Sequence, residues 1–155
     1  MIDDSLRQHA FYGRARKAVV SDLLGQTLAG VESIFDAMLI LETTTGRAYK
    51  LWHAQDYEEM VTIESIVGDL DDLVGAPLLL ANESSNSTGG LQDLQTPRSN
   101  LRTWTFYLFA TIKGSVDIRW FGESNGYYST SVDFAEILEG RRGDHITDRD
   151  KGGGR

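Results

Sequence analysis

The feature that most constrains this chain is a side-chain alternation of period two running from Thr103 to Phe134. Trp104, Phe106, Leu108, Ala110 and Ile112 fall on one side of the first run, and Thr103, Thr105, Tyr107, Phe109 and Thr111 on the other. A period of two is the signature of extended backbone, whereas a helix repeats near 3.6. Lys113-Gly114 reads as a two-residue turn, after which Val116, Ile118 and Trp120 continue the apolar face, opposed by Asp117, Arg119 and Phe121. Ser124-Asn125-Gly126-Tyr127 then carries the Asn-Gly pair favoured in type I′ turns. It leads to a third strand with Tyr128, Thr130, Val132 and Phe134 on one side. The expectation is a meander of three neighbouring strands.

The rest of the chain reads the same way. Gly25 and Gly30 punctuate a strand-like run from Thr27 to Phe35. Ala37 to Leu41 is continuously apolar, Thr43-Thr44-Thr45-Gly46 closes it, and Ala48 to His53 alternates on the way back, which makes a hairpin. Val61 to Ile66 is another short strand. Within Gly68 to Pro77, Asp69 fits a helix N-cap, Asp71 and Asp72 suit the first turn, and Gly75 and Pro77 end it, so one helical turn is expected. Leu78 to Ala81 resumes a strand, and Asn82 to Asn100, rich in Ser, Asn, Thr and Gly, reads as a long loop.

Three regions follow: residues 1–21, an extension with a short amphipathic helix carrying Leu6, Phe11, Ala15, Ala18 and Val19; residues 22–138, a single β-rich domain; and residues 139–155, a polar tail ending Lys151-Gly-Gly-Gly-Arg155 and expected to be flexible. The fold class expected is mainly β, an antiparallel meander forming a sandwich or partly open barrel, with one or two short helices and no βαβ alternation.

Composition narrows function mostly by exclusion. The 155-residue chain has no cysteine, which removes disulfides, thiolate metal sites and cysteine nucleophiles together. Its net charge of −8 argues against nucleic-acid binding, which needs a basic surface. The charge is uneven: no Lys or Arg lies between Lys50 and Arg98, while Asp56, Glu58, Glu59, Glu64, Asp69, Asp71, Asp72, Glu83 and Asp93 all do. Basic residues collect at the ends, at Arg7, Arg14, Arg16 and Lys17 and again at Arg141, Arg142, Arg149, Lys151 and Arg155. Solubility explains this pattern, and an acidic face for a basic partner is the sharper alternative. With no signal-like N-terminus and no apolar run of spanning length, a cytoplasmic protein without membrane contact is expected.

Candidate chemistry is sparse. His53, Asp56 and Glu59 recur every third residue, a metal-ligand spacing on a helix, but they follow a strand, where a solvated turn is the simpler reading. Asp69, Asp71 and Asp72 lack the oxygen ligand and glycine of a calcium loop, because Leu73 and Val74 stand at those positions. There is no Gly-x-Ser-x-Gly elbow and no phosphate-cradling glycine loop, and a catalytic triad would have to use His53. No metal, cofactor or catalytic residue is therefore assigned, and no enzyme is expected. The stronger pointer is a polar-aromatic cluster, Arg119, Phe121, Glu123, Ser124, Asn125 and Tyr127, joined by Tyr107. These are the residue types that anchor recognition surfaces, and Tyr107, Phe109, Phe121 and Tyr127 are expected on faces opposite the Trp104 and Trp120 stripe.

Several strings are familiar: Gly68-Asp-Leu-Asp-Asp-Leu-Val-Gly75 with Pro77; Trp104-Thr-Phe-Tyr107; Phe109-Ala-Thr-Ile-Lys-Gly114; Ile118-Arg-Trp-Phe-Gly-Glu-Ser-Asn-Gly-Tyr-Tyr-Ser129; and Ser131-Val-Asp-Phe134. Over about residues 22–138 they resemble a family of short, uncharacterised, mainly bacteriophage-encoded proteins without an assigned activity. Relatives tend to carry two cysteines after the Gln-Asp corresponding to Gln55-Asp56, where Tyr57 and Glu58 stand here, so a thiol role does not carry over. The resemblance implies a phage protein made in the host cytoplasm. The function expected is non-enzymatic binding of a host factor, or sequestration of a small nucleotide-like defence signal, with self-association left open. The alternatives are a virion accessory or decoration protein and, third, a small hydrolase using His53.

Overall fold

The structure is a computed structural model and describes residues 2–89 and 100–138. Helix α1 (Asp4–Tyr12) leads to strands β1 (Ala15–Lys17), β2 (Leu28–Ile34), β3 (Met38–Thr43), β4 (Ala48–Trp52), β5 (Met60–Val67), β6 (Leu80–Thr88), β7 (Leu101–Thr111), β8 (Gly114–Ser124) and β9 (Asp133–Ile137). Short 3-10 turns lie at Val20–Leu23 and Leu70–Leu73. The strands form two antiparallel sheets, of order β1-β9-β4-β3-β2 and β5-β8-β7-β6. They face each other as a sandwich and do not close into a barrel.

The first sheet is covered on both sides, which explains its continuous apolar run. Leu39, Leu41, Tyr49 and Leu51 point into the core between the sheets, while Met38, Ile40 and Ala48 pack under α1 with Leu6 and Ala10. Asp3 caps α1 by accepting the Leu6 amide at 2.8 Å. Arg7 clamps the helix to β2 through a two-point bond to Glu32 (2.7 and 2.8 Å). Lys50 donates to the Ala10 carbonyl at 2.7 Å from beneath the helix, and burial holds its ammonium below the usual lysine range. Within residues 2–21, α1 covers the first sheet and β1 pairs with β9 as its edge. Phe11, Ala15, Ala18 and Val19 are not the helix's buried side, which is Leu6 and Ala10.

The second sheet gains one covered face only. Its inner residues are Tyr107, Phe109, Val116, Ile118 and Trp120, packed with Val61 and Ile63 of β5. The 3-10 turn at 70–73 forms as expected, with Asp69 accepting the Asp71 amide at 2.9 Å and Leu73 buried.

Three expectations are corrected. The strand after Asn125-Gly126 does not return along β8: β9 crosses to the first sheet and pairs with β4 and β1. The meanders are β2-β3-β4 and β6-β7-β8 instead. Second, the turn falls at Ile112-Lys113, with Thr111 opposite Gly114, and the Trp104 stripe does not continue through Trp120. A two-residue turn makes paired residue numbers sum to an odd value, so even positions of β8 share a face with odd positions of β7. Trp120 therefore lies opposite Thr105, and Trp104 opposite Phe121. Third, β6 runs on to Thr88, so Asn82–Thr88 is strand, paired residue by residue with β7. The middle of the expected loop and the tail beyond Leu138 lie outside the described residues.

Candidate functional site

The outward side of β7 and β8 is built from four cross-strand pairs: Arg102 with Glu123, Trp104 with Phe121, Phe106 with Arg119, and Leu108 with Asp117. Trp104, Phe106, Leu108 and Phe121 are half-buried and belong to neither buried cluster. The Trp104 and Phe121 ring centroids lie 5.3 Å apart, tilted at 51°. Ion pairs flank the rings, Arg119 Nε to Glu64 Oε1 at 2.7 Å and Arg102 Nε to Glu123 Oε2 at 3.0 Å. The result is an apolar strip with charged margins.

Among the residues picked out from sequence, Arg119, Phe121 and Glu123 share this face. Ser124 is buried beside it, its hydroxyl bonding the Tyr128 carbonyl (2.8 Å) and the Gly126 amide (3.1 Å). Asn125 Oδ1 accepts the Tyr127 amide at 2.9 Å, and Tyr127 is 76% exposed at the tip of the turn. Glu123, Ser124 and Asn125 also line a cavity of about 240 Å³ with Glu58, Glu59, Met60, Asn100 and Tyr128. Tyr107 does not join them. It is fully buried on the inner face, donating its hydroxyl to Glu83 at 2.6 Å, and burial first, then that carboxylate, raises its pKa far above the phenol range. Glu83 lines a separate, more apolar groove of about 570 Å³ together with Val19, Val132, Asp133 and Phe134.

Beneath the turn lies a feature that the sequence spacing touched but did not resolve. His53 and Glu59 are 9% and 4% exposed, so this is no solvated turn. His53 Nε2 meets Glu59 Oε2 at 2.7 Å, and its Nδ1 meets the Ser131 carbonyl at 2.7 Å. Glu59 also accepts the backbone amides of Asp56 (2.7 Å) and Tyr57 (2.8 Å). Asp56 thus contributes its amide, not its carboxylate. Burial pushes the Glu59 carboxyl up, but the His53 bond and the backbone amides outweigh it and hold it down at about 2. The pair clasps the β4–β5 loop to the crossover, and the Tyr57 and Tyr128 rings meet above it at 5.6 Å. With both nitrogens committed, the ring is built as a structural clamp.

One exposed ring escaped the sequence reading. Phe35, expected inside a strand, sits at the β2–β3 turn with 91% exposure, and both Phe35 (φ 52) and Asp36 (φ 55) are left-handed. The sequence lacks the usual Asn-Gly signal there. Among the described residues no three His, Cys, Asp or Glu side chains gather as a metal site, and no helix is long and apolar enough to cross a membrane.

No curated protein and no solved structure matches the chain. A family model does match residues 21–134, from the first 3-10 turn into β9: the chain belongs to the family described as a domain of unknown function, DUF7448.

Proposed function

We propose that this is a non-enzymatic, phage-encoded binding protein that engages a host protein in the infected cytoplasm through the outer face of the β5-β8-β7-β6 sheet. The observation that carries the reading is the half-buried strip of Trp104, Phe106, Leu108 and Phe121 outside both cores, bordered by Arg119–Glu64 and Arg102–Glu123. Partly exposed aromatic rings within a charged rim are the composition of protein-contact surfaces. The phage origin rests on the resemblance of the motif strings. Of the two ligand classes expected from sequence, a protein fits better than a nucleotide. The cavity at the Asn125 turn is lined by Glu58, Glu59 and Glu123, with no Lys or Arg among its described lining residues, and repels phosphate.

The test compares proteins recovered from infected cells by the wild-type chain with those recovered by Trp104→Ser/Phe121→Ser. A host protein bound directly by the first and lost by the second, with thermal stability of the double variant otherwise near wild type, supports the reading. Equal recovery by both overturns it. Finding the chain in purified particles by mass spectrometry favours the virion role. Stabilisation by host nucleotides, about 2.7 kcal/mol at a hundred times Kd, favours sequestration of a small signal.

A further inference from the structure

Among the described residues the two sheets present four edge strands, β1 and β2 in the first sheet and β5 and β6 in the second. An edge strand offers unpaired backbone amides and carbonyls, and folded proteins blunt such edges with short length, bulges, proline or charge. Three of the four are blunted here. β1 has three residues, the β2 pairing shifts register between Leu28 and Gly30, and the β5 pairing shifts between Ile63 and Ser65. β6 is neither short nor bulged. It runs nine residues in unbroken register against β7, from Leu80 opposite Ala110 to Thr88 opposite Arg102. It contains no proline and no Lys or Arg, and Glu83 is its single charge.

We propose that β6 is a self-association edge, pairing antiparallel with β6 of a second copy about a two-fold axis through Ser85. The 3-10 turn at 20–23 packs against β6, and the backbone ahead of the strand is engaged too, Leu78 bonding to Gln26 and Gly25. Asn82–Thr88, whose side chains are exposed throughout, is therefore the stretch that a second copy pairs with, and Ser85 is its midpoint. An axis there pairs all seven residues: Asn82 with Thr88, Glu83 with Ser87, and Ser84 with Asn86. It also keeps the two Glu83 carboxylates apart, whereas an axis through Glu83 would set them directly opposite each other, which is destabilising. Every pair is polar and none sets like charges together, so the strand meets its own complement. The antiparallel two-fold keeps outward residues on one side, so two four-stranded sheets become one of eight strands. This pairing is independent of what the outer face binds.

The experiment is sedimentation equilibrium of the full chain over a wide concentration range, with two double variants at exposed positions of β6. In Ser84→Lys/Asn86→Lys the proposed register sets lysines against lysines at both cross-strand pairs, and the dimer dissociation constant should rise at least tenfold. In Ser84→Glu/Asn86→Lys the same register sets opposite charges together, and the dimer should persist and weaken with added salt. Unchanged thermal unfolding of each variant at low concentration shows that the domain itself is intact. A wild-type chain that stays monomeric at all concentrations overturns the proposal. So does a dimer indifferent to Ser84→Lys/Asn86→Lys, or one that both variants abolish.

Discussion

Replacing Trp120 and, separately, Trp104 by alanine tests the register on which both faces of the second sheet depend. The two tryptophans lie on adjacent strands, and their faces are set only by where the β7–β8 turn falls. Trp120 is fully buried in the core between the sheets. At about 250 Å² of buried side chain and about 25 cal/mol per Å², its transfer contribution is at most about 6 kcal/mol. Measured truncations of such residues cost about 3–5 kcal/mol. Trp104 is half-buried and faces outward, so its loss opens no internal cavity and should cost about 1–2 kcal/mol. Trp120→Phe adds an internal control. Among the described residues the buried Trp120 indole nitrogen has no hydrogen-bond partner, and an unsatisfied buried donor costs about 1–3 kcal/mol. Phenylalanine removes that donor while keeping most of the ring, so its net cost should fall well below that of alanine. Urea unfolding followed by far-ultraviolet circular dichroism gives all three values, with an unchanged slope confirming that only stability moved. Equal costs at positions 104 and 120, or a larger cost at 104, would refute the pairing of Thr105 with Trp120.

Three further outcomes are expected. Phe35→Asn/Asp36→Gly should raise stability by about 1 kcal/mol, or about 3 °C in Tm, because left-handed backbone strains both residues and Phe35 buries almost nothing; a loss instead would mean that the ring packs within the domain. Gly122→Ala should cost about 1–3 kcal/mol in the same urea assay, since a Cβ there would stand 2.9 Å from Thr130 Cβ and 3.0 Å from its carbonyl oxygen; a neutral result would show that the crossover can move away. The wild-type chain should lose stability as pH falls from about 4.5 towards about 2, because Glu59 is held at about 2 in the fold against 4.5 unfolded, and its contribution is present above that window and lost through it. Glu32 and Glu136, also lowered by arginine partners, share this limb, so Glu59→Gln should flatten it in part; an identical pH profile for the variant would remove the clasp from the account.

Sequence periodicity located most of the strands, because side-chain alternation is a local property of the backbone, but it read Ala15 as helical and Asn82–Thr88 as loop. β2 to β5, β7, β8 and the 70–73 turn lie close to where the pattern places them, and the same alternation puts Arg119, Phe121 and Glu123 on one side of β8, though not with Trp104, which the register adds. Tertiary structure decided which strands pair and which face is buried. Asn125-Gly126 marks a tight turn but not the sheet to which the next strand belongs, and β9 is taken by the first sheet, where Phe134 stacks on Tyr49 at 5.3 Å. Tyr107 and Trp104 sit three residues apart on one strand, and either could have faced the core on hydrophobicity alone. Only the opposing β8 register, with Val116, Ile118 and Trp120 turned inward, put Tyr107 inside and left Trp104 and Phe121 at the surface. The His53–Glu59 clasp is likewise a product of loops meeting in space, since a carboxylate six residues from a histidine means nothing until the chain folds back to bury both.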